Sequence, residues 1–404
     1  MAMNQPLKGV RVVDFTAYGA GPGAGKILAD WGADVIKVEP AAGDPSRTGS
    51  RILGMRADEG QNPHWELLNG NKRSLPINLK SAEGVEILDK LLTTANIFIS
   101  NYRFKALDKM GLSYEAMAAK HPHIIWGNLS GFGLEGEAAD NAGFDTVAYW
   151  ARSGSMIDFC ENGETPLTPP FGLGDLATAC SLAGAVAACL YQQEKTGKGE
   201  KVITSLYAQS IWNESALVQS VFHGDQFPKS RLKADSPLRN TYKCKDGRWV
   251  MVSVIVYDRY FPIFMKMVGR EDLIEDARFN TQAAVKENSE ALVRILDEIF
   301  LTKTWPEWDA LLIENDIAHD KINQIKDVLT DEQAFDNGML YMYKGRDGVE
   351  DMMAGTPVKF GASVPAPHVN APFLGEHTVE LLTELGYSAA QIDELIAKNA
   401  TLKL

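Results

Sequence analysis

Only four of the 404 residues are cysteine (Cys160, Cys180, Cys189 and Cys244). No two of them form a CxxC pair or the spacing of a disulfide framework or zinc site, so a reduced, cytoplasmic setting is expected. The seven histidines are scattered without an HExxH or an i,i+4 ligand pair, and no metal centre is expected. No GxSxG elbow is present, which removes a serine hydrolase of the usual α/β type. The opening residues MAMNQPLKGVRVVDF lack the basic segment, apolar run and small-residue cleavage site of a secretory signal. The most apolar stretch, Leu182 to Tyr191, is half the ~20 residues that a membrane span needs; it predicts a buried helix and no membrane partner. Basic residues are in deficit, 40 against 53 acidic for a net charge of −13, which argues against a nucleic-acid partner. A small anionic ligand remains compatible if the cations cluster locally.

What is present is an ordinary globular composition, 45% apolar and 23% charged, over a length that at ~100 to 200 residues per domain calls for two domains or one elaborated α/β unit. Val10 to Phe15 is a valine-rich run, followed by small residues, a helical pattern and a second apolar run, Val35 to Val38, ending at Glu39. This is the opening of a parallel βαβ unit. The alternation continues with a helix near 82–94, a strand at 97–100, a helix at 114–120 and a strand at 124–129, which predicts a parallel sheet covered on both faces. A helix from Leu176 to about Glu194 ends at Gly197, a suitable left-handed cap, and 201–205 supplies a further strand. The polar, turn-rich stretch after Ser220 marks a boundary. Beyond it, Asp246-Gly247 reads as a hairpin turn, and two amphipathic helices close the chain with Ser388 as an N-cap. The expected organisation is a large Rossmann-like domain over 1–222, a small α+β domain over 223–330, and a linker with C-terminal helices over 331–404 returning to the large domain.

The glycine run from Gly19 to Gly25 invites a phosphate-loop reading. A Walker A loop fails, because Ala20 and Ile27 stand where glycine and a hydroxyl are required. A dinucleotide fingerprint is met by Gly19, Gly21 and Ala24, with Glu39 as the later acid. Against it, three residues separate the strand from the first glycine and Pro22 sits in the turn. A tight turn with close helix packing explains the glycines as well. The segment GLGDLATA places Asp175 between a glycine turn and a long small-residue helix, at or beside an N-cap, where the helix dipole favours an ionised carboxylate. Taken alone, the residues fit a helix cap, the commoner role, and equally fit a nucleophilic carboxylate.

The successive blocks PLKGVRVVDFT, AGPGAG, LADWGADVIKVEP, NGNKRSLPINLK, NYRFKALDKMGLSYE, GFDTVAYWARSG, GLGD and EKTGKGEKV, with LGEHTVELLTELGYS near the end, resemble the class III CoA-transferases in order and over nearly the whole chain. The resemblance implies a Rossmann-like large domain, a small inserted domain and an interlocked homodimer acting on an acyl-CoA and a carboxylic acid, with coenzyme A thioester as substrate and no tightly bound cofactor. It assigns the catalytic aspartate to Asp175 and the CoA contacts to Asn78, Leu79, Lys80, Asn101, Tyr102, Arg103 and Lys109. Independently, Lys72, Arg73, Lys80, Arg103, Lys105 and Lys109 put six cations within 38 residues, as a polyanionic ligand would require. Where formyl-CoA transferase has a glutamine and an arginine, this chain has Gly19 and Pro40, so the expected acids are not formate and oxalate. The wording is most similar to enzymes of amino-acid-fermenting anaerobes, which act on 2-hydroxy, aryl or enoyl acids such as phenyllactate and 2-hydroxyisocaproate. With no glutamine at 19, the backbone amides of Gly19 and Ala20 are the candidate oxyanion donors, and Asp145 is a second acid in reserve or a turn carboxylate. Two alternatives stand beside this expectation. One is an α-methylacyl-CoA racemase, which would need an acid/base partner such as a histidine facing the aspartate. The other is a non-catalytic CoA-binding scaffold, against which the intact GLGD block argues.

Overall fold

The computed structural model describes residues 5–49, 51, 54–55, 62–361 and 367–404. The chain forms two compact units. One comprises Met1–Ser155, Thr168–Val218 and Gln333–Leu404, the other Met156–Leu167 with Gln219–Glu332.

The first unit is built on six short strands: β1 (Arg11–Phe15), β2 (Asp34–Glu39), β3 (Arg73–Pro76), β4 (Ile97–Ser100), β5 (Ile125–Ser130) and β6 (Lys201–Ser205). All pair in parallel, in the order β3-β2-β1-β4-β5-β6. Val12 lies between Val35 and Ile97, and Val13 between Ile36 and Phe98. These central strands are apolar on both sides because helices cover both faces. The connections run outward in opposite directions from β1 and β4, which leaves a crevice at the carboxyl ends of those two strands. β3 escapes a simple pattern search: RSLP carries a charge and a proline, which only an edge position tolerates.

Helix α1 (Ala20–Asp30) is buried throughout and packs against the long helix Leu173–Thr196, which also lies on β5. By length and composition that long helix could cross a bilayer. Here Thr178, Ala179, Leu182, Ala183 and Val186 face the interior. Gly184, Ala188 and Tyr191 are exposed, so the helix expected to be buried is buried along one stripe only. It ends at Gly197 with φ 68°. The closing helices, Thr378–Glu384 and Ala389–Ala397, pack their apolar sides on the sheet core through Leu381, Leu382 and Ile392. Ser388 caps the second through a reciprocal capping box with Gln391.

The second unit has a three-stranded antiparallel sheet, Arg239–Lys243, Trp249–Ser253 and His319–Lys321. Its core gathers Tyr242, Phe261, Phe264, Phe300 and Trp308. Gly247 takes the left-handed conformation that the Asp246-Gly247 turn requires, φ 83°.

Candidate active site

The crevice at the carboxyl ends of the strands is a cleft of about 440 Å³. Four connections line it: Ala17–Ala20 after β1, Pro40 after β2, Asn101–Arg103 after β4 and Ser130–Gly131 after β5. Asp175 enters from the first turn of the long helix. Two helix amino ends, those of α1 and the long helix, therefore open on the same space and favour negative charge there.

Asp175 is not the cap of its helix. The N-cap is Gly172, left-handed at φ 80°, a conformation in which glycine pays no Cβ penalty. The capping acceptor comes from elsewhere in the chain. Asp145, almost fully buried at 4% exposure, opens a π-helical turn over Asp145–Ala151, and its Oδ2 accepts the Gly172 N–H at 2.8 Å. Burial raises Asp145 above the usual carboxylate range, and the amides of Gly172, Gly174 and Asp175 pull against that rise. The expectation that the helix end keeps Asp175 readily ionised is overturned. Burial first, and the negative charge of Asp145 second, push Asp175 up to about 7.

Asp175 lies directly against Gly19. A Cβ at position 19 would overlap the Asp175 carboxylate, so only glycine leaves the carboxylate room. The loop carrying Gly19 is held on both sides. The Asn101 carboxamide clasps Ala17, accepting its N–H at 2.8 Å and donating to its carbonyl at 2.6 Å. Asp44 Oδ1 accepts the Tyr18 N–H at 3.2 Å. Asp44 is itself paired with Lys37 Nζ at 2.9 Å, and Lys37 donates to the Thr16 carbonyl at 2.6 Å. Burial opposes the Lys37 charge, yet Asp14, Asp44 and Glu39 hold its pKa above the usual lysine value. Sequence reasoning missed this support, although a lysine in the middle of the buried run DVIKVE was its signal.

The structure brings together Gly19, Ala20, Asn101, Tyr102, Arg103 and Asp175 around one cleft, with Asp145 behind Asp175. It does not bring Asn78, Leu79, Lys80 or Lys109 into that lining. Asn78 donates to the Asn399 carbonyl at 3.0 Å, Leu79 packs on the sheet core, and Lys80 and Lys109 are exposed. The six-cation cluster needs correction. Lys72 is buried, with Nζ 2.7 Å from Asp14, and burial pushes it down to about 8 despite that partner. Arg73 is bound up with Asp34, Glu380 and Glu384, and Lys105 pairs with Asp140 at 2.6 Å. Lys72, just before β3, has its counter-ion inside the protein, as a buried charge must, and Arg73 is tied to surface carboxylates of the C-terminal helix, so both serve the fold. Among the described residues, Arg103 is the cation that lines the cleft.

Among the described residues, none of those lining the cleft is a histidine. His121 bonds to Asp89 at 2.9 Å and His123 to the Ala95 carbonyl at 3.1 Å, beside the amino end of β5 and so across the sheet from the cleft. The described residues contain no group of three His, Cys, Asp or Glu that could hold a metal ion.

Comparison with known proteins gives a consistent picture. Residues 7–378 match the model of CoA-transferase family III. The (R)-2-hydroxy-4-methylpentanoate CoA-transferase of Clostridioides difficile is 40% identical over 96% of this chain and 97% of its own. The cinnamoyl-CoA:phenyllactate CoA-transferase of Clostridium sporogenes is 36% identical over 96% and 95%. Among solved structures, a CAIB/BAIF family protein from Brucella suis superposes with a TM-score of 0.78 at 29% identity, covering 95% of this chain and 100% of that one.

Proposed function

Because the chain belongs to CoA-transferase family III, we propose that Asp175 is the nucleophile of a CoA transfer between an acyl-CoA and a free 2-hydroxy, aryl or enoyl acid. An oxygen of the Asp175 carboxylate attacks the thioester carbonyl carbon. The C–S bond breaks, CoA leaves as the thiolate, and the acyl group remains on Asp175 as a mixed anhydride. The thiolate then attacks the aspartyl carbonyl and expels the donor acid, leaving an aspartyl-CoA thioester. The acceptor carboxylate takes the aspartyl group from that thioester, and the returning thiolate takes the acceptor acyl group and frees Asp175. Every intermediate is an activated acyl species, so the thioester's energy is retained.

The observation that carries this reading is the placement of Asp175 against Gly19, at the meeting of two helix amino ends, with its pKa lifted to about 7. A carboxylate that ionises near neutrality is more basic, and so more nucleophilic, than an ordinary aspartate. The Gly19 and Ala20 amides, at the start of α1, are the donors assigned to the developing oxyanion. Asn101, Tyr102 and Arg103 contact CoA at the cleft, and Asn78, Leu79, Lys80 and Lys109 extend the CoA surface outside it. Asp145 positions the helix that carries the nucleophile. The same reading makes the protein a cytoplasmic homodimer with no tightly bound cofactor. Exposed apolar side chains in the first unit, Trp212 at 74% and Tyr191 at 69%, support coverage by a second copy.

The test is chemical trapping. Hydroxylamine or borohydride added with acyl-CoA is expected to inactivate the enzyme and to place the mass change on Asp175, while enzyme without donor survives. An unmodified Asp175 after full exposure to donor refutes the nucleophile assignment.

A further inference from the structure

We propose that Tyr18 and Phe144 form an aromatic wall that selects bulky apolar acyl groups at the Asp175 cleft; this inference rests on the reading of Asp175 as the acyl-accepting nucleophile. The two rings meet edge to face, centroids 5.6 Å apart at 86°, and both line the cleft that holds Asp175. Both are left open, Tyr18 at 50% and Phe144 at 56% exposure, whereas nearby Phe15 is buried and stacks on Tyr102. An apolar ring pair uncovered inside a cleft is a surface awaiting an apolar ligand.

The backbone beneath Tyr18 argues that this exposure has a function. Tyr18 has φ 66°, a left-handed conformation that an aromatic residue adopts only when its surroundings impose it. The Asn101 clasp on Ala17 and the Asp44 acceptor on the Tyr18 N–H are those surroundings. The half-buried Asn101 and the buried Asp44 thus hold a ring at the cleft. Phe144 is fixed from the other side, because it immediately precedes Asp145, which is tied to the helix of Asp175. The rings are carried by the two segments that flank the nucleophile on either side.

Leu129, Leu206, Ala139 and Ala142 add apolar surface to the same lining, which also carries the polar side chains of Ser130, Asn141 and Arg103. The acyl group that profits is a branched aliphatic or phenyl-bearing one, long enough to reach the ring pair. A two-carbon acyl offers the ring pair little apolar surface to cover.

The experiment measures the rate of hydroxylamine-trapped labelling of Asp175 with four donors: acetyl-, butanoyl-, 4-methylpentanoyl- and 3-phenylpropanoyl-CoA. Wild-type enzyme is expected to label from the two bulky donors at least about tenfold faster than from acetyl-CoA. Tyr18→Asn, which suits the left-handed backbone but has no ring, and Phe144→Ala are each expected to cut that ratio about fivefold or more. Tyr18→Phe, which keeps the ring, is expected to retain it, and Phe144→Leu is the second variant should Phe144→Ala fail to fold. If Asp175 is labelled and the ratio stays at the wild-type value in both ring-deleted variants, the wall is refuted while the nucleophile stands. If no donor labels Asp175, the nucleophile reading falls and this inference falls with it.

Discussion

If Asp175 acts as the proposed nucleophile, the pH dependence of the first chemical step is a quantitative consequence of its environment. With a pKa of about 7, Asp175 is ionised to about one tenth at pH 6, one half at pH 7 and nine tenths at pH 8. Log kcat/KM is therefore expected to climb with unit slope to about pH 7 and then level off, with activity lost on the acid side because a protonated carboxyl cannot attack. The causes are ordered, burial first and the Asp145 charge second. Asp145→Asn is thus expected to move the acid limb down by about one pH unit while leaving it above the range of an ordinary aspartate. Ionisation of the substrates is common to both enzymes, so the displacement between the two profiles reports the protein alone. The same shift has a stability consequence. A carboxyl whose folded pKa lies above its unfolded value costs stability that is absent at low pH and develops as pH rises from about 4 through about 7. The Asp175→Asn variant is expected to melt above the wild type at pH 8, by up to about 4 kcal/mol and less where cleft water screens the charge. The gap should narrow to roughly 1.5 kcal/mol at pH 5 and vanish below about pH 4. The assay is initial-rate kcat/KM for acyl-CoA from pH 5 to 8.5 on both enzymes, with urea melts of Asp175→Asn and wild type at pH 5 and 8. A wild-type profile that is flat from pH 5.5 to 8 refutes the perturbed nucleophile, and a limb unmoved by Asp145→Asn removes Asp145 from its cause.

Two further outcomes follow from the charges around the sheet. Arg103→Ala is expected to raise KM for CoA substrates more than it lowers kcat, and Lys80→Ala to do so less, since Arg103 lines the cleft and Lys80 does not; titration of CoA at low salt checks the order. Lys72→Met is expected to cost about 3–5 kcal/mol in urea unfolding, because it leaves the buried Asp14 with Lys37, at 3.9 Å, as its cation. Adding Asp14→Asn is expected to recover part of that loss, whereas a single variant as stable as wild type would show that the pair does not hold the fold.

Much of the frame was legible locally. The strands Ile97–Ser100 and Lys201–Ser205 and the helix Tyr114–Lys120 occur at the bounds their patterns predict, because runs and periodicities of this kind depend on neighbours in the chain. The ordered blocks from PLKGVRVVDFT to LGEHTVELLTELGYS were likewise sufficient for the family. What charge density could not reveal was direction. Lys72 and Arg73 are as basic in the sequence as Arg103, but a side chain's partner depends on where the fold places it: beside β3 in the order β3-β2-β1-β4-β5-β6, Lys72 turns inward to Asp14, while Arg73 on β3 reaches Asp34 and the C-terminal helix. The state of Asp175 was equally out of reach. The residues around it read as a helix cap that would favour the anion, whereas the capping carboxylate arrives from Asp145, 27 positions before Gly172. Chemistry written in side-chain types and local spacing belongs to the sequence by itself. The dielectric around a carboxylate, the charge that faces it and the pKa they produce belong to surfaces brought together only by the tertiary fold, because burial and Coulomb interaction depend on distance in space.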